Sequence, residues 1–247
     1  IIFMGLFVVV PLLMLLYYAF FVDGFSFVAV TGYFSNPAEM ATILRSLKIA
    51  FLSAVFCLLI GYPTAYIIAR CKNKRRQYLF LLLIIAPMWI NGLLRTVALK
   101  NLAGLLHIPN GTGLVIIGLI FDYLPFMIMP IYLVLANIDK QFLEASADLG
   151  ASPIATFVKI TLPLSVAGIM SGFLMVFTPA VSTYYMTQFL GTTATFTVGE
   201  ELNLMFIKNN NYAGASVIAL VLLFLVGFST LLTNRLSKIG NAKGGAF

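Results

Sequence analysis

Long runs of apolar residues dominate the chain, and short polar segments separate them. A helix that crosses the hydrocarbon core of a bilayer needs about 20 consecutive apolar residues. The runs reach this length and are continuous rather than alternating, which favours helices over the strands of a membrane barrel. The pattern therefore predicts six transmembrane helices, at about residues 1–22, 43–69, 78–98, 112–137, 164–186 and 213–234.

Composition agrees with this pattern and excludes several classes of protein. Of the 247 residues, 61% are hydrophobic and only 9% are charged, whereas soluble domains carry about 25% charged residues. An ordinary soluble enzyme, a disordered chain and a nucleic-acid-binding protein are thereby excluded. Residues 1–247 are expected to form a single transmembrane domain, because six spans leave no room for a large soluble one.

Basic residues in the short loops predict the orientation, since cytoplasmic loops carry an excess of Lys and Arg. The loop between the second and third spans is the richest, with Arg70, Lys72, Lys74, Arg75 and Arg76. The loop between the fourth and fifth spans and the C-terminal tail add to the same side. This side is predicted to be cytoplasmic, with both termini inside. The first run is too long for a signal-peptide core and is expected to be a retained anchor.

The loop at residues 138–163, between the fourth and fifth spans, has an unusual pattern. The residues before Gly150 favour a helix, and Gly150 itself suits the left-handed position that ends one. Ser152 is a good N-cap, and Pro153 suits the first turn of the next helix. The pattern predicts two short helices that meet at a glycine turn, with Pro163 marking the entry to the fifth span.

The first of these two helices carries two acids on one face, Glu144 and Asp148, which are four residues apart. A helix that lies on lipid headgroups is normally basic on its polar face. An ordinary amphipathic surface helix is therefore the weaker interpretation. We expect this loop to be a docking element for a cytoplasmic partner.

In the same loop, Glu144-Ala145-Ser146 is followed by Gly150 and later by Ile160-x-Leu162-Pro163. This pattern resembles the EAA loop of ABC-importer permeases. The chain departs from the pattern at Ser146, where the family has a second alanine. The resemblance implies a coupling helix that inserts into a groove of an ATPase subunit. The implied docking residues are Glu144, Ala145, Ser146, Asp148, Gly150, Ile160, Leu162 and Pro163.

Three further stretches have distinctive patterns, namely Pro87-Met-Trp89-Ile-Asn91-Gly-Leu-Leu-Arg95, Leu124-Pro125-Phe126-Met127-Ile-Met129-Pro130 and Gly61-Tyr62-Pro63. They are similar to the first permease subunit of spermidine/putrescine importers. With the EAA loop, the resemblance extends over about residues 32–238. It implies an all-α integral membrane permease of the MetI-like fold, with six transmembrane helices, in the bacterial cytoplasmic membrane. Its relatives import iron, sulfate and other solutes on the same scaffold.

The resemblance also implies partners and a mechanism. The partners are a second, homologous permease, two ATPase subunits that bind ATP and Mg, and an extracytoplasmic solute-binding protein. The implied mechanism is alternating access, in which nucleotide-driven movement of the ATPase is passed through the docked loop to the spans. The chain itself is expected to supply the path and the lever for a polyamine.

Asp122 lies near the middle of the fourth span, beside Tyr123. A carboxylate at this depth is costly unless it is paired, so it is a functional candidate. Either Asp122 meets an ammonium group of the substrate, or it pairs with a basic group such as Arg95. A third alternative is a protonated carboxyl packed against a neighbouring helix.

Aromatic residues supply the other candidates, because a polyamine needs aromatic faces for its ammonium groups and methylenes. Trp89 and Asn91 fall in the middle of the third span, and Tyr184 and Tyr185 fall near the outer end of the fifth. Packing, or anchoring at the membrane interface, is the alternative for the aromatic rings. The candidate substrate-pathway residues are Trp89, Asn91, Asp122, Tyr123, Tyr184 and Tyr185.

Catalytic and metal sites are not expected. The sequence holds no P-loop and no nucleophile–base constellation, and His107 is its one histidine. The chain is thus expected to be no enzyme and to bind no metal or cofactor itself. Glu200 and Glu201, on the outer side, either attract a cation or belong to a solvated loop or helix start.

Two rival functions remain. An importer of an iron complex or an oxyanion has the same architecture, although an oxyanion path needs basic groups in the spans and only Arg95 qualifies. A stand-alone secondary transporter or channel is expected to have two related halves. The sequence shows no such repeat, and this rival leaves the docking loop unexplained.

Overall fold

The structure is a computed structural model that describes residues 3, 5–21 and 27–244, with side chains omitted at 28, 29, 140 and 232–244. Every regular element in these ranges is helical. Residues 1, 2, 4 and 22 of the predicted first span lie outside the described residues.

Twelve α-helices follow one another in the described ranges. They are α1 (Val10–Phe20), α2 (Val28–Ser35), α3 (Pro37–Ala69), α4 (Lys74–Ile85), α5 (Gly92–Leu105), α6 (Thr112–Ala136), α7 (Lys140–Asp148), α8 (Pro153–Thr156), α9 (Leu162–Ser182), α10 (Tyr185–Leu190), α11 (Val198–Asn203) and α12 (Tyr212–Gly244). Short π-helical segments lie at Gly5–Val9, Phe157–Thr161 and Leu204–Lys208, and 3₁₀ turns lie at Ala86–Trp89 and Thr193–Thr195.

Membrane-length helices make up most of this structure. Those long and apolar enough to cross a bilayer are Pro37–Ala69, Thr112–Ala136, Pro153–Ser182 and Tyr212–Leu231. The bent pair Lys74–Trp89 and Gly92–Leu105 corresponds to the predicted third span, and it raises the number of spans from four to five if it is counted as one. Gly5–Phe20 is a shorter apolar helix. The predicted all-α membrane architecture is confirmed, with roughly six apolar helical segments.

The third span departs from the prediction of one continuous helix over residues 78–98. The chain leaves the helix at Ile90, which is extended with φ −86° and ψ 137°, and the two halves meet at 94°. Asn91 starts the second half as an N-cap, because its side-chain oxygen accepts a hydrogen bond of 2.9 Å from the N–H of Leu93. A local polar contact thus overrides the apolar pattern at this point.

The fifth span also departs from its predicted limits of 164–186. One helix runs from Pro153 to Ser182, so Pro163 does not mark an entry and the second loop helix is not a separate short one. A π-helical turn precedes Pro163, and the N–H of Leu162 bonds the carbonyl five residues back, at Phe157. A proline ring inside a regular α-helix clashes with the carbonyl four residues back. The wider π-helical turn changes the hydrogen bonding at this point, and the helix continues through Pro163.

Three helices, α3, α6 and α9, form the centre of the bundle, and α12 packs against α9. Small residues allow the close contact. A Cβ atom added to Gly168 would lie 2.9 Å from the carbonyl oxygen of Pro130, and one added to Gly172 would lie 2.9 Å from Sδ of Met127. A larger residue at either position would push the two helices apart.

The chain folds back after α9, and this segment packs at the end of the bundle where α3 begins. Arg45 donates a hydrogen bond of 3.0 Å to the carbonyl of Phe196. Ser46 accepts one of 2.8 Å from the N–H of Val198. The residues from 183 to 203 are therefore held against α3 at the end of the bundle opposite the loop at residues 138–163.

Candidate functional site

The loop at residues 138–163 has the predicted glycine turn between two helices, although the second of them begins at Pro153 and continues as the fifth span. Asp139 caps α7 by accepting a hydrogen bond of 3.0 Å from the N–H of Gln141. Gly150 has φ +74°, the left-handed conformation that favours glycine. Ser152 then caps the next helix, with its hydroxyl 3.2 Å from the N–H of Ala155.

The predicted docking residues do not share one surface. Glu144, Ala145, Asp148, Gly150 and Pro163 are exposed. The remaining three point inward to different degrees, since Ile160 and Leu162 are half-buried and Ser146 is buried. Only the exposed residues are directly accessible to a partner protein.

Aromatic side chains connect the start of the fifth-span helix to the end of α3. The ring of Phe157 meets Tyr62 at 5.8 Å and Tyr66 at 5.6 Å, both edge to face. The hydroxyl of Tyr62 shares a hydrogen bond of 2.9 Å with Ser165, and the guanidinium of Arg70 lies 5.3 Å from the centre of the Tyr66 ring.

This aromatic cluster was missed by the sequence reasoning. Its signal was the spacing of Tyr62, Tyr66 and Arg70, which are four residues apart and therefore share a helix face. The cluster makes the loop end of α3 and the start of the fifth-span helix one packed unit.

Of the three alternatives for Asp122, the structure has the pair with Arg95. Nη2 of Arg95 lies 3.0 Å from Oδ1 of Asp122, and the hydroxyl of Tyr185 donates a hydrogen bond of 2.9 Å to Oδ2. The contact with Arg95 is an ion pair without hydrogen-bond geometry, since Oδ1 has no hydrogen-bond partner among the described residues. Asp122 is 1% exposed and Arg95 is 11% exposed.

Tyr123, Thr183 and Gly92 lie around this polar cluster. Tyr123 shares a hydrogen bond of 2.7 Å with Thr183. A Cβ atom on Gly92 would lie 3.2 Å from Oδ2 of Asp122 and 3.0 Å from the Tyr185 hydroxyl. The second half of the third span therefore begins directly against the cluster, and a side chain at position 92 would displace it.

The predicted pathway residues thus separate into two groups. Asp122, Tyr123 and Tyr185 meet inside the bundle. Trp89 lies on the turn where the third span breaks, and its side chain is 83% exposed. Asn91 and Tyr184 are exposed as well.

At the opposite end of the bundle, Glu201 is buried beside Tyr33, whose hydroxyl is 3.5 Å from Oε2 of the acid. The interpretation of Glu201 as part of a solvated loop is therefore wrong, because it is 7% exposed, whereas the helix start is confirmed, because Glu201 lies in the first turn of α11. Burial, reinforced by the carboxylate of Glu39, raises the pKa of Glu201 to about 7. Burial also raises the pKa of Glu200.

Solved structures share this fold. The chain is similar to a bacterial ABC transporter involved in the import of the acidic polysaccharide alginate, with a TM-score of 0.75, 16% identity, and coverage of 95% of this chain and 92% of that one. It is also similar to the MetNI methionine ABC transporter in an inward-facing conformation, with a TM-score of 0.66, 18% identity, and coverage of 81% and 95%. The fold is that of a MetI-like ABC-transporter permease.

Residues 61–238 match the family of binding-protein-dependent transport system inner membrane components. The chain belongs to this family. It is thus an inner-membrane transport component with several membrane-spanning helices.

Curated relatives agree with the sequence motifs. The spermidine/putrescine transport system permease protein PotB of Escherichia coli K12 is 32% identical, over 96% of this chain and 95% of that protein. PotB of Haemophilus influenzae is 32% identical, over 96% and 91%. A PotB homologue of Mycoplasma genitalium is 28% identical, over 77% and 74%. The resemblance to this type of permease is confirmed.

Proposed function

We propose that this chain is a permease subunit of an ATP-driven importer and forms half of the pathway for spermidine and putrescine. The observation that carries the proposal is the 32% identity to the spermidine/putrescine permease PotB over 96% of the chain. The ABC-permease fold and the capped glycine turn of the docking loop agree with it.

In the proposed complex, a second permease supplies the other half of the pathway. Two ATPase subunits bind ATP and Mg, and an extracytoplasmic solute-binding protein delivers the substrate. A structural neighbour, the alginate transporter, was solved with an alginate-bound periplasmic protein, which supports the last assignment. The chain itself hydrolyses no ATP and binds no cofactor.

The proposed orientation has the loop at residues 138–163 and both termini in the cytoplasm. The basic loop between α3 and α4 supports it, since Arg70 lies at the same end of the bundle as Phe157 of the docking loop. In this orientation the segment at residues 183–203 faces the outer side.

The proposed lever is α7, with its exposed residues Glu144, Ala145 and Asp148 against the ATPase. When the ATPase dimer closes, α7 moves with it, and the glycine turn carries this movement to the helix that begins at Pro153. That helix is the fifth span itself, so the spans rock and the substrate pathway opens to the outer side. Reopening of the dimer restores the inward-facing state.

The proposed substrate contacts lie around the break of the third span. Trp89 and Tyr184 offer exposed aromatic faces to the ammonium groups and methylenes of a polyamine. Asn91 holds the break open by capping α5. Asp122, with Tyr123 and Tyr185 beside it, lies behind this surface as a paired carboxylate.

The test is uptake of radiolabelled spermidine and putrescine by proteoliposomes that contain the complete complex, with ATP on the ATPase side and the binding protein on the other. We expect saturable, ATP-dependent uptake that only other polyamines compete. A complex that hydrolyses ATP in response to its binding protein, yet takes up no polyamine, would contradict the substrate assignment. It would indicate an importer of an iron complex or an oxyanion.

A further inference from the structure

The docking loop contains a hydroxyl pair that the family pattern lacks. Oγ of Ser146 and Oγ1 of Thr156 share a hydrogen bond of 2.8 Å across the glycine turn. Ser146 is 6% exposed, and Thr156 is half-buried. An alanine at position 146, as in the family pattern, has no group that can make this bond.

This hydrogen bond ties α7 to the next helix through a side chain, and apart from Ser146 and half-buried Leu143 the described side chains of α7 are exposed. Ser146 is the buried residue of α7 among those whose side chains are described. In the same part of the chain, the side chains of α7 make no other hydrogen bond. The backbone adds one contact from the same residue, since the carbonyl of Ser146 accepts a hydrogen bond of 3.0 Å from Ala151.

The turn between the two helices needs such a tether. Gly150 has φ +74°, and a Cβ atom placed on it would meet nothing within 4 Å. The space beside Gly150 is thus open, and two backbone hydrogen bonds close the turn, from the N–H of Gly150 to the carbonyl of Ala147 at 2.9 Å and from the N–H of Ala151 to the carbonyl of Ser146 at 3.0 Å. Contacts across the turn, rather than packing of side chains within it, fix the angle between α7 and the helix that begins at Pro153.

Thr156 connects the tether to the membrane helices. It lies on the helix Pro153–Ser182, and the next residue, Phe157, packs its ring on Tyr62 and Tyr66 of α3. The Ser146–Thr156 hydrogen bond and the ring contacts of Phe157 therefore connect α7 to both the second and fifth spans.

We propose that Ser146 and Thr156 are positioning residues, which lock the angle between α7 and the fifth-span helix so that movement of α7 reaches the spans. This inference rests on the proposed function, in which α7 is docked on the ATPase. Without the bond, α7 swings about Gly150, and ATP is hydrolysed with less movement of the spans.

The experiment uses the complete complex in proteoliposomes with Ser146→Ala and Thr156→Val, singly and together. It measures spermidine uptake per ATP hydrolysed, and the increase of ATPase activity on addition of the binding protein. In each single variant we expect both the uptake per ATP and the ATPase response to the binding protein to fall about fivefold. This is the factor by which one net hydrogen bond changes an equilibrium constant. The double variant is expected to lose no more than either single variant, because the pair acts as a unit.

Two controls separate positioning from general damage. Thr156→Ser keeps the hydroxyl and is expected to retain most of the coupling. Thr64→Val removes an exposed hydroxyl that bonds only a carbonyl of its own helix, and is expected to change neither readout.

Unchanged coupling in Ser146→Ala and Thr156→Val would overturn the inference, as would an equal loss in Thr156→Ser. Failure of the proposed function looks different, since the unsubstituted complex would then take up no polyamine. The ATPase response to the binding protein still tests the pair in that case, because it depends on coupling and not on the identity of the solute.

Discussion

The guanidinium of Arg95 lies 3.0 Å from the carboxylate of Asp122, and this contact joins the second half of the bent third span to the fourth span. Tyr185 approaches the same carboxylate from the segment that folds back after α9. One acid therefore connects three parts of the chain. Because two opposite charges are buried together, each depends on the other far more than an exposed pair would.

We predict that Asp122→Asn destabilises the protein, because it leaves the Arg95 guanidinium buried without its counter-charge. Breaking a buried pair in this way costs about 3–5 kcal/mol. Thermal unfolding of the purified complex in detergent measures the loss. The double variant Asp122→Asn with Arg95→Met is expected to regain much of it, since no uncompensated charge remains. A double variant as unstable as Asp122→Asn would contradict this account of the pair.

The Tyr185 hydroxyl is expected to stabilise the same cluster. Tyr185→Phe removes a hydrogen bond to a charged group, which contributes about 1.5–3 kcal/mol. Tyr184→Phe is the matched control, because Tyr184 is adjacent but 38% exposed, and its hydroxyl makes no hydrogen bond to the described residues. A lowered unfolding temperature is expected for the first variant alone. Equal shifts in both would mean that the hydrogen bond to Asp122 contributes little.

Gly150→Val is predicted to uncouple the docking loop while leaving membrane insertion intact. A β-branched residue at φ +74° is strained by about 1–2 kcal/mol, so the turn rearranges and α7 changes direction. Co-purification of the ATPase subunits and ATP-driven uptake are the measurements. Gly104→Ala is the control, because this glycine lies within a helix and a Cβ atom there meets nothing within 4 Å. Normal transport by Gly150→Val would refute the role of the turn.

Glu201 is predicted to make stability depend on pH at the end of the bundle opposite the docking loop. Its pKa rises from 4.5 to about 7 on burial, so the folded protein holds a proton that the unfolded chain releases between these values. Stability is therefore full below about pH 4.5 and is lost as the pH rises through about 7.

Glu201→Gln removes this penalty and is expected to raise stability at pH 8 by about 1–3 kcal/mol, since one pKa unit corresponds to about 1.4 kcal/mol. At pH 5 the gain is expected to be much smaller. Unfolding temperatures at the two pH values measure the difference, with Glu144→Gln as the control on an exposed carboxylate. The same gain at both pH values would show that titration of Glu201 is not its cause.

The membrane helices and the glycine turn of the loop at residues 138–163 were predictable because their signals are local. Long apolar runs specify membrane helices, and the Gly150, Ser152 and Pro153 pattern specifies a turn between two helices. The departures arise where one polar contact or one change in backbone bonding overrides such a pattern. Asn91 ends an apolar run by capping a new helix, and the π turn before Pro163 lets the helix continue through a residue that usually interrupts one.

The polar cluster was only half predictable for a different reason. Arg95 was named as a partner of Asp122 because it is a basic group within the predicted spans. Tyr185 reaches Asp122 only because the chain folds back after Ser182, and no pattern near position 185 indicates this. Contacts between residues far apart in sequence depend on the arrangement of whole helices, which the sequence pattern does not contain.

The bend in the third span determines what surrounds this protein on one side. At Ile90 the backbone is extended, so peptide groups are left outside a helical hydrogen-bonding pattern, and the side chains there are open, with Trp89 83% exposed and Ile90 54% exposed. Hydrocarbon tails offer no hydrogen bonds, so non-helical backbone at membrane depth persists only against protein or water. Where this break lies at membrane depth, the surface around Trp89 faces protein or water and not lipid. The chain thus has one surface suited to lipid and another, at the break, that requires water or protein beside it.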